Sequence, residues 1–193
     1  MKQRLTTAVT AGILAGALAL SGCGAGADDS AEDSSPTNTA AGSHSAGDHS
    51  DHPADGGPAP KGIEKAESPK YPVGTDVTLA ADHMEGMDGA KATVVGAFDT
   101  YTYAVDYTPT TGGDPVKNHK WVVQQEIEDA GDERLEDGAD VTLEAKHMEG
   151  MKGAKATIAS STDETVYMVD YEADGMKMKN HKWVVESEIK PES

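Results

Sequence analysis

The 193-residue chain sets 34 acidic residues against 16 basic ones, a net charge of −18 at neutral pH, and carries a single cysteine. A field of that sign repels nucleic acid and anionic headgroups while gathering cations, so nucleic-acid binding is excluded and solubility is expected. One cysteine excludes a disulfide framework.

Residues 1–22 read as a signal peptide. Lys2 and Arg4 form a positive start, Leu5 to Leu20 is an apolar run too short for a confident membrane span, and small residues precede Cys23. The string Leu20-Ser21-Gly22-Cys23 resembles the lipobox of bacterial lipoproteins. That resemblance implies lipidation of Cys23, secretion, and an anchor on the outer face of the cell membrane. With Cys23 lipidated no free thiolate remains, and the soft-ligand role falls to methionine.

Residues 23–70 are rich in Ala, Gly, Ser, Asp, Pro and Thr, with Ile63 as the one bulky aliphatic. Such a stretch cannot bury enough apolar surface to offset its ordering entropy, which predicts a disordered tether. His44, His49 and His52 sit in it beside Asp48 and Asp51. A weak metal site is conceivable there, but solvated polar sequence is the preferred reading.

The remainder is a duplication, with module one at 73–128 and module two at 138–190, joined by the short acidic linker 129–137. The copies align at an offset of 64 from Gly74/Gly138 through Tyr107/Tyr171, and of 62 from Lys117/Lys179 onward. Val77, Leu79, Ala81 and His83 share one parity against Thr78, Ala80, Asp82 and Met84, and Val141 to Met148 repeat the pattern. This predicts a half-buried strand. Gly86 and Gly89 end it, Ala92 to Val95 starts a second, and Tyr103-Val105-Tyr107 alternates as a third. His119, Trp121 and Val123 share a face of a fourth. The fold expected is all-β: two tandem small SH3-like barrels after the tether. Modules of this size lie near the limit of independent stability, to which bound metal or mutual packing would add.

Both copies carry His-Met-Glu-Gly-Met, at His83 to Met87 and His147 to Met151, followed by Lys-Asn-His-Lys-Trp-Val-Val around His119 and His181. Parity places His83 and His119 at inward strand ends and Met84 on the polar face, where a core methionine does not belong. Imidazole with thioether is a soft to borderline donor set, suited to Cu(I) and by extension Ag(I), whereas Zn(II) favours thiolate, imidazole and carboxylate, and Ca(II) oxygen. A lone inward histidine is more often a hydrogen-bonded core residue, and an exposed methionine pair more often a packing surface. The full combination favours metal. Copy two adds Met176 and Met178, which suggests tighter or more extensive binding there. Met168 is either a further ligand or a surface residue. With Trp183 just downstream, the ingredients are similar to those of a periplasmic Cu(I) chaperone type in which a tryptophan face caps the ion through a cation–π contact.

The phrases VTLAADHMEGMDGAKATVVGAFDT and YAVDYTPTTGGDPVKNHKWVVQQEI, with their second copies, resemble the YdhK-like family of secreted bacterial lipoproteins, whose domain occurs in tandem. Members include a copper-resistance surface lipoprotein of Gram-positive bacteria. The resemblance implies Cu(I) binding outside the cell by His83, Met84, Met87 and His119, then His147, Met148, Met151 and His181, with Met176 and Met178 added by copy two. The partners expected are copper ions and the lipid bilayer through Cys23, with no nucleic acid; transfer to a copper exporter is left open, and the chain is expected to be a monomer. The competing reading is a tandem SH3-like adhesion module that grips a wall polymer or protein partner through Trp121, Trp183 and the tyrosines. No nucleophile–base pair or carboxylate dyad stands out, so an enzyme is not expected.

Overall fold

The computed structural model describes residues 52–192. The expected signal peptide, Cys23 and the tether through residue 51, with His44 and His49, lie outside them. The described part is all-β. Copy one supplies β2 (Asp76–Leu79), β3 (Lys91–Asp99), β4 (Thr102–Tyr107), β5 (Val116–Val123) and a 3-10 turn at Gln124–Glu126, preceded by the short β1 (Glu64–Lys65). Copy two repeats them as β6 (Asp140–Thr142), β7 (Lys155–Thr162), β8 (Val166–Ala173), β9 (Met176–Val185), a 3-10 turn at Glu186–Glu188, and β10 (Ile189–Pro191).

The pairing crosses between copies. One sheet runs β10-β2-β3-β8-β9 with β1 added to β3; the other runs β5-β4-β7-β6, and Ile127 bridges Leu143 there as Ile189 pairs with Leu79 in the first. Both follow the SH3-like strand order, and each takes half its strands from each copy. The exchange is reciprocal in register: Ala92 faces Tyr171 and Val94 faces Val169 in one sheet, as Ala156 faces Tyr107 and Ile158 faces Val105 in the other. The cause lies in the links. Thr100-Tyr101 after β3 and Asp163-Glu164-Thr165 after β7 contain no Gly or Asn to take the positive-φ positions of a tight hairpin turn. Neither strand folds back on its predecessor, and each continues into the opposite sheet.

Three apolar clusters result. One fills the first sheet with Val77, Leu79, Met87, Val94, Tyr167 and Met178, and its counterpart holds Tyr103, Val105, Val122, Leu143, Met151 and Ile158. The third joins outer faces of both sheets through Phe98, Ala104, Trp121, Val166, Met168 and Trp183. It explains why Ala104 is fully buried, and why Met168 is a core residue rather than a ligand or surface side chain.

The tether ends sooner than its composition implied. Ala59 and Ile63 pack on the third cluster and Ala66 on the first, while β1 pairs with β3 through Glu64↔Asp99. Ahead of them, residues 54–57 form a strap on β9. Lys179 N donates to Ala54 O (2.8 Å), Gly56 N to Lys179 O (2.9 Å), and Asn180 Nδ2 to the Asp55 carboxylate (2.9 Å).

Candidate metal centre

Two sequence phrases build the centre, each by a local device. After Leu79 the chain leaves the ladder and turns: Gly89 N donates to Leu79 O, and Met87 N to Met84 O. Gly86 and Gly150 take φ of +74° and +73° within this turn, which glycine adopts without a steric penalty. A Cβ at Gly86 would strike the Asp174 carboxylate, and Gly150 O accepts from Thr110 N (2.8 Å), so each turn docks on a loop of the other copy. In the second phrase Asn118 and Asn180 adopt left-handed φ of 51° and 49°, a conformation that asparagine tolerates. Their N–H groups are held by Asp106 and Asp170, at 2.7 Å each. The kink delivers His119 and His181 to the interior.

Two carboxylates, Glu126 buried and Glu188 partly so, then lock the copies together. Glu188 accepts from His83 Nε2 (2.8 Å) and Trp121 Nε1 (2.8 Å); Glu126 accepts from His147 Nε2 (2.9 Å) and Trp183 Nε1 (2.8 Å). Every one of these bonds runs from one copy to the other. Burial pushes the Glu126 carboxyl up, but the charge and hydrogen bond of His147, the Trp183 indole and Lys182 outweigh it and hold it below the ordinary range. Glu188 is likewise raised by burial and lowered further by His83, Trp121 and the Val185 N–H. An ionised carboxylate only accepts, so His83 and His147 donate from Nε2, and a neutral ring at either position carries its lone pair on Nδ1. His147 Nδ1 is buried with no hydrogen-bond partner among the described residues, and so is His181 Nε2.

The imidazoles converge. His119 stands 6.1 Å from His147 between ring centres, and His52 stands 6.2 Å from His119 and 6.0 Å from His181. His181 is pushed down to about 3 by burial first and then by His52, His83 and His147 around it. Two imidazoles sharing one ion through nitrogens at about 2 Å put their ring centres roughly 5–6 Å apart, so these pairs stand at the outer edge of that range. His83 and His119 line one pocket with His52, and His119's ring neighbour in the interior is His147 of the other copy.

A tyrosine couples a thioether to each side. Tyr107 lies edge-on to His119 (5.8 Å) and its hydroxyl donates to Met148 Sδ (3.5 Å); Tyr171 lies edge-on to His181 (5.3 Å) and donates to Met84 Sδ (3.6 Å). Thioether sulfur has a second lone pair, which the hydroxyl leaves unused. The other methionines are not brought in. Met87 and Met151 are fully buried and Met178 nearly so, all within the two sheet cores, and Met176 is 55% exposed. Met84, expected on the polar face, is half-buried against the first core. Nor do the tryptophan faces await an ion: Lys120 lies over Trp121 and Lys182 over Trp183. Among the described residues no group of three or more His, Cys, Asp and Glu side chains is arranged to hold a metal ion. What each half presents is imidazole pairs with one thioether nearby.

Glu126, Glu188, Tyr107 and Tyr171 were not singled out by the sequence reading. Their signal was repetition: both glutamates stand three residues after Val-Val, and both tyrosines close Val-Asp-Tyr.

Comparison with known proteins agrees with the duplication. The family model described as "Protein of unknown function (DUF1541)" matches twice, at residues 73–124 and 137–186. The uncharacterized protein YdhK of Bacillus subtilis strain 168 is 56% identical over 132 residues, covering 67% of this chain and 64% of that protein. The crystal structure of a DUF1541 family protein (ydhK) from B. subtilis superposes with a TM-score of 0.69 at 54% identity, over 70% of this chain and 94% of the other. The solution NMR structure of the ydhK C-terminal domain gives 0.60 at 56% identity, over 62% and 92%. The chain belongs to the DUF1541, YdhK-like family.

Proposed function

We propose that this chain is a lipid-anchored extracellular protein that binds Cu(I) and sequesters it at the cell surface, with Ag(I) as a second soft ion. The observation that supports it most is the imidazole cluster built from both copies, in which buried ring nitrogens of His147 and His181 lack protein partners while a thioether stands on either side. A buried polar atom left unpaired costs stability unless a ligand satisfies it. Imidazole plus thioether without thiolate selects a soft ion. The ligand set of this proposal is His83, His119, His147 and His181 with Met84 and Met148. Nothing in the set resembles a turnover site, and storage by a monomer is the reading, with a copper exporter as a possible recipient of the ion. The relatives' descriptions name no ligand, so the donor chemistry alone carries this.

The adhesion alternative loses its face, because Trp121 and Trp183 are buried and donate to Glu188 and Glu126. Competition of the mature chain with a chromophoric Cu(I) chelator, beside the same titration with Zn(II), tests the proposal. Cu(I) should bind far more tightly; equal affinities would refute a soft site. For the anchor, Cys23→Ser should move the protein out of the membrane fraction, and retention there would indicate an uncleaved span instead.

A further inference from the structure

The two halves of the centre share their carboxylate–histidine–tryptophan and tyrosine–methionine contacts. Among the described residues a strap lies on β9 and none on β5: Asp55 bridges Lys179 in parallel, Asn180 Nδ2 and Gly57 N both donate to Asp55 Oδ1, and a Cβ on Gly56 would run into the Asn180 carbonyl oxygen. One such segment is described, against two copies of the edge it pairs with. Seated this way, the strap ends at His52, half-buried and within 6.0–6.2 Å of both His181 and His119. These two rings belong to different copies, so His52 stands where the halves meet. It lies outside both family matches.

We propose that His52 is a metal ligand delivered by the strap, shared between the two halves, and that Cu(I) binding fastens the strap onto β9. This rests on the Cu(I) reading above. Its chemistry is that of an imidazole set against one ring of each copy, tilted to His181 at 6.0 Å and stacked with His119 at 6.2 Å, the outer edge of the spacing two imidazoles take when they meet on one ion. The strap supplies the placement. Its bonds to Lys179 and Asn180 lie in the same extended run that carries His181, so moving one moves the other. A shared ligand also makes the halves unequal, because one imidazole nitrogen serves one ion at a time, and the first Cu(I) bound should be held more tightly than the second.

The test uses the mature chain. Cu(I) affinity is measured by chelator competition for wild type, His52→Ala, His49→Ala and Gly56→Val, with amide exchange at Gly56 and Lys179 followed with and without Cu(I). The expected result is a loss of about tenfold or more in first-site affinity for His52→Ala, the order of magnitude that attends loss of a ligand's support. Gly56→Val, which keeps His52 but spoils its seat, should lose affinity in the same direction, and His49→Ala should match wild type. Cu(I) should slow exchange at both amides in wild type and not in His52→Ala. If His52→Ala binds as wild type does, and Cu(I) protects the strap equally in both, the proposal is overturned while the Cu(I) reading stands. A wild type that takes up no Cu(I) overturns both.

Discussion

At the scale of single residues, Glu126 and Glu188 decide what the imidazoles can do. Each holds a histidine by its Nε2, the arrangement by which a carboxylate behind an imidazole orients it toward an ion. Glu126→Gln tests this, since a Gln amide turned toward Trp183 by its oxygen presents N–H to His147 and moves the imidazole proton to Nδ1. Cu(I) affinity should fall by about 10–100-fold with the fold intact, and imidazole nitrogen shifts should report the tautomer change; unchanged shifts and affinity would refute the role. Protons act on the same residues. His181 is held at about 3, below its ordinary 6.5, so the unfolded chain takes a proton that the folded one refuses. Stability is full above about pH 6.5 and should drop by about 1.4 kcal/mol per pH unit from this one group as pH falls toward 3. Glu126 and Glu188, held below 4.5, add losses of the same sign at the acid end. Urea midpoints flat from neutral pH to about pH 4 would contradict the burial of His181. The histidines were legible from the repeated phrases. The glutamates were not, because in an acidic chain a carboxylate reads as surface until a partner 57–67 residues away is known to reach it.

At the scale of the element, the His-Met-Glu-Gly-Met turn divides its two methionines. Alternation gave the buried parity of Val77 and Leu79, but the strand ends at Leu79 rather than at Gly86, so His83 stands in the turn beyond it, Met87 returns to the core and Met84 meets Tyr171. Sequence spacing cannot show which way a thioether points beyond a positive-φ glycine. The structure therefore separates methionines that look equivalent. Met87→Leu, Met151→Leu and Met178→Leu preserve volume and apolarity, so each should cost less than about 1.5 kcal/mol and leave Cu(I) affinity unchanged. Met84→Leu and Met148→Leu should weaken Cu(I) binding at comparable stability. Chelator competition beside urea titration of the five variants distinguishes the sets; a loss of copper in the Met87 or Met151 variants would return those residues to the site. The advantage expected for copy two disappears on the same ground, since Met178 is core and Met176 is exposed.

At the scale of the whole molecule, duplication and exchange are inseparable from the site. The sequence showed two modules, and pattern alone gave the strands of each; what it hid was that β3 and β4 part company at Thr100-Tyr101. That link lacks hairpin-turn residues, a signal visible in the sequence, yet its consequence depends on the equivalent link in the other copy, Asp163-Glu164-Thr165, releasing its strands in the same way. Because His147 donates to Glu126 and His83 to Glu188, a single copy holds neither carboxylate–histidine pair. The two halves should therefore behave as one cooperative unit rather than beads on a linker. A protease site placed in the acidic loop 129–137, which supplies no strand to either sheet, tests this. After cleavage the fragments should co-elute on size exclusion in native buffer, unfold in a single transition, and keep the Cu(I) affinity of the intact chain. Separation into two species that each bind copper as the uncut protein does would mean that each copy closes on itself in solution, and that the exchanged arrangement is not the functional one.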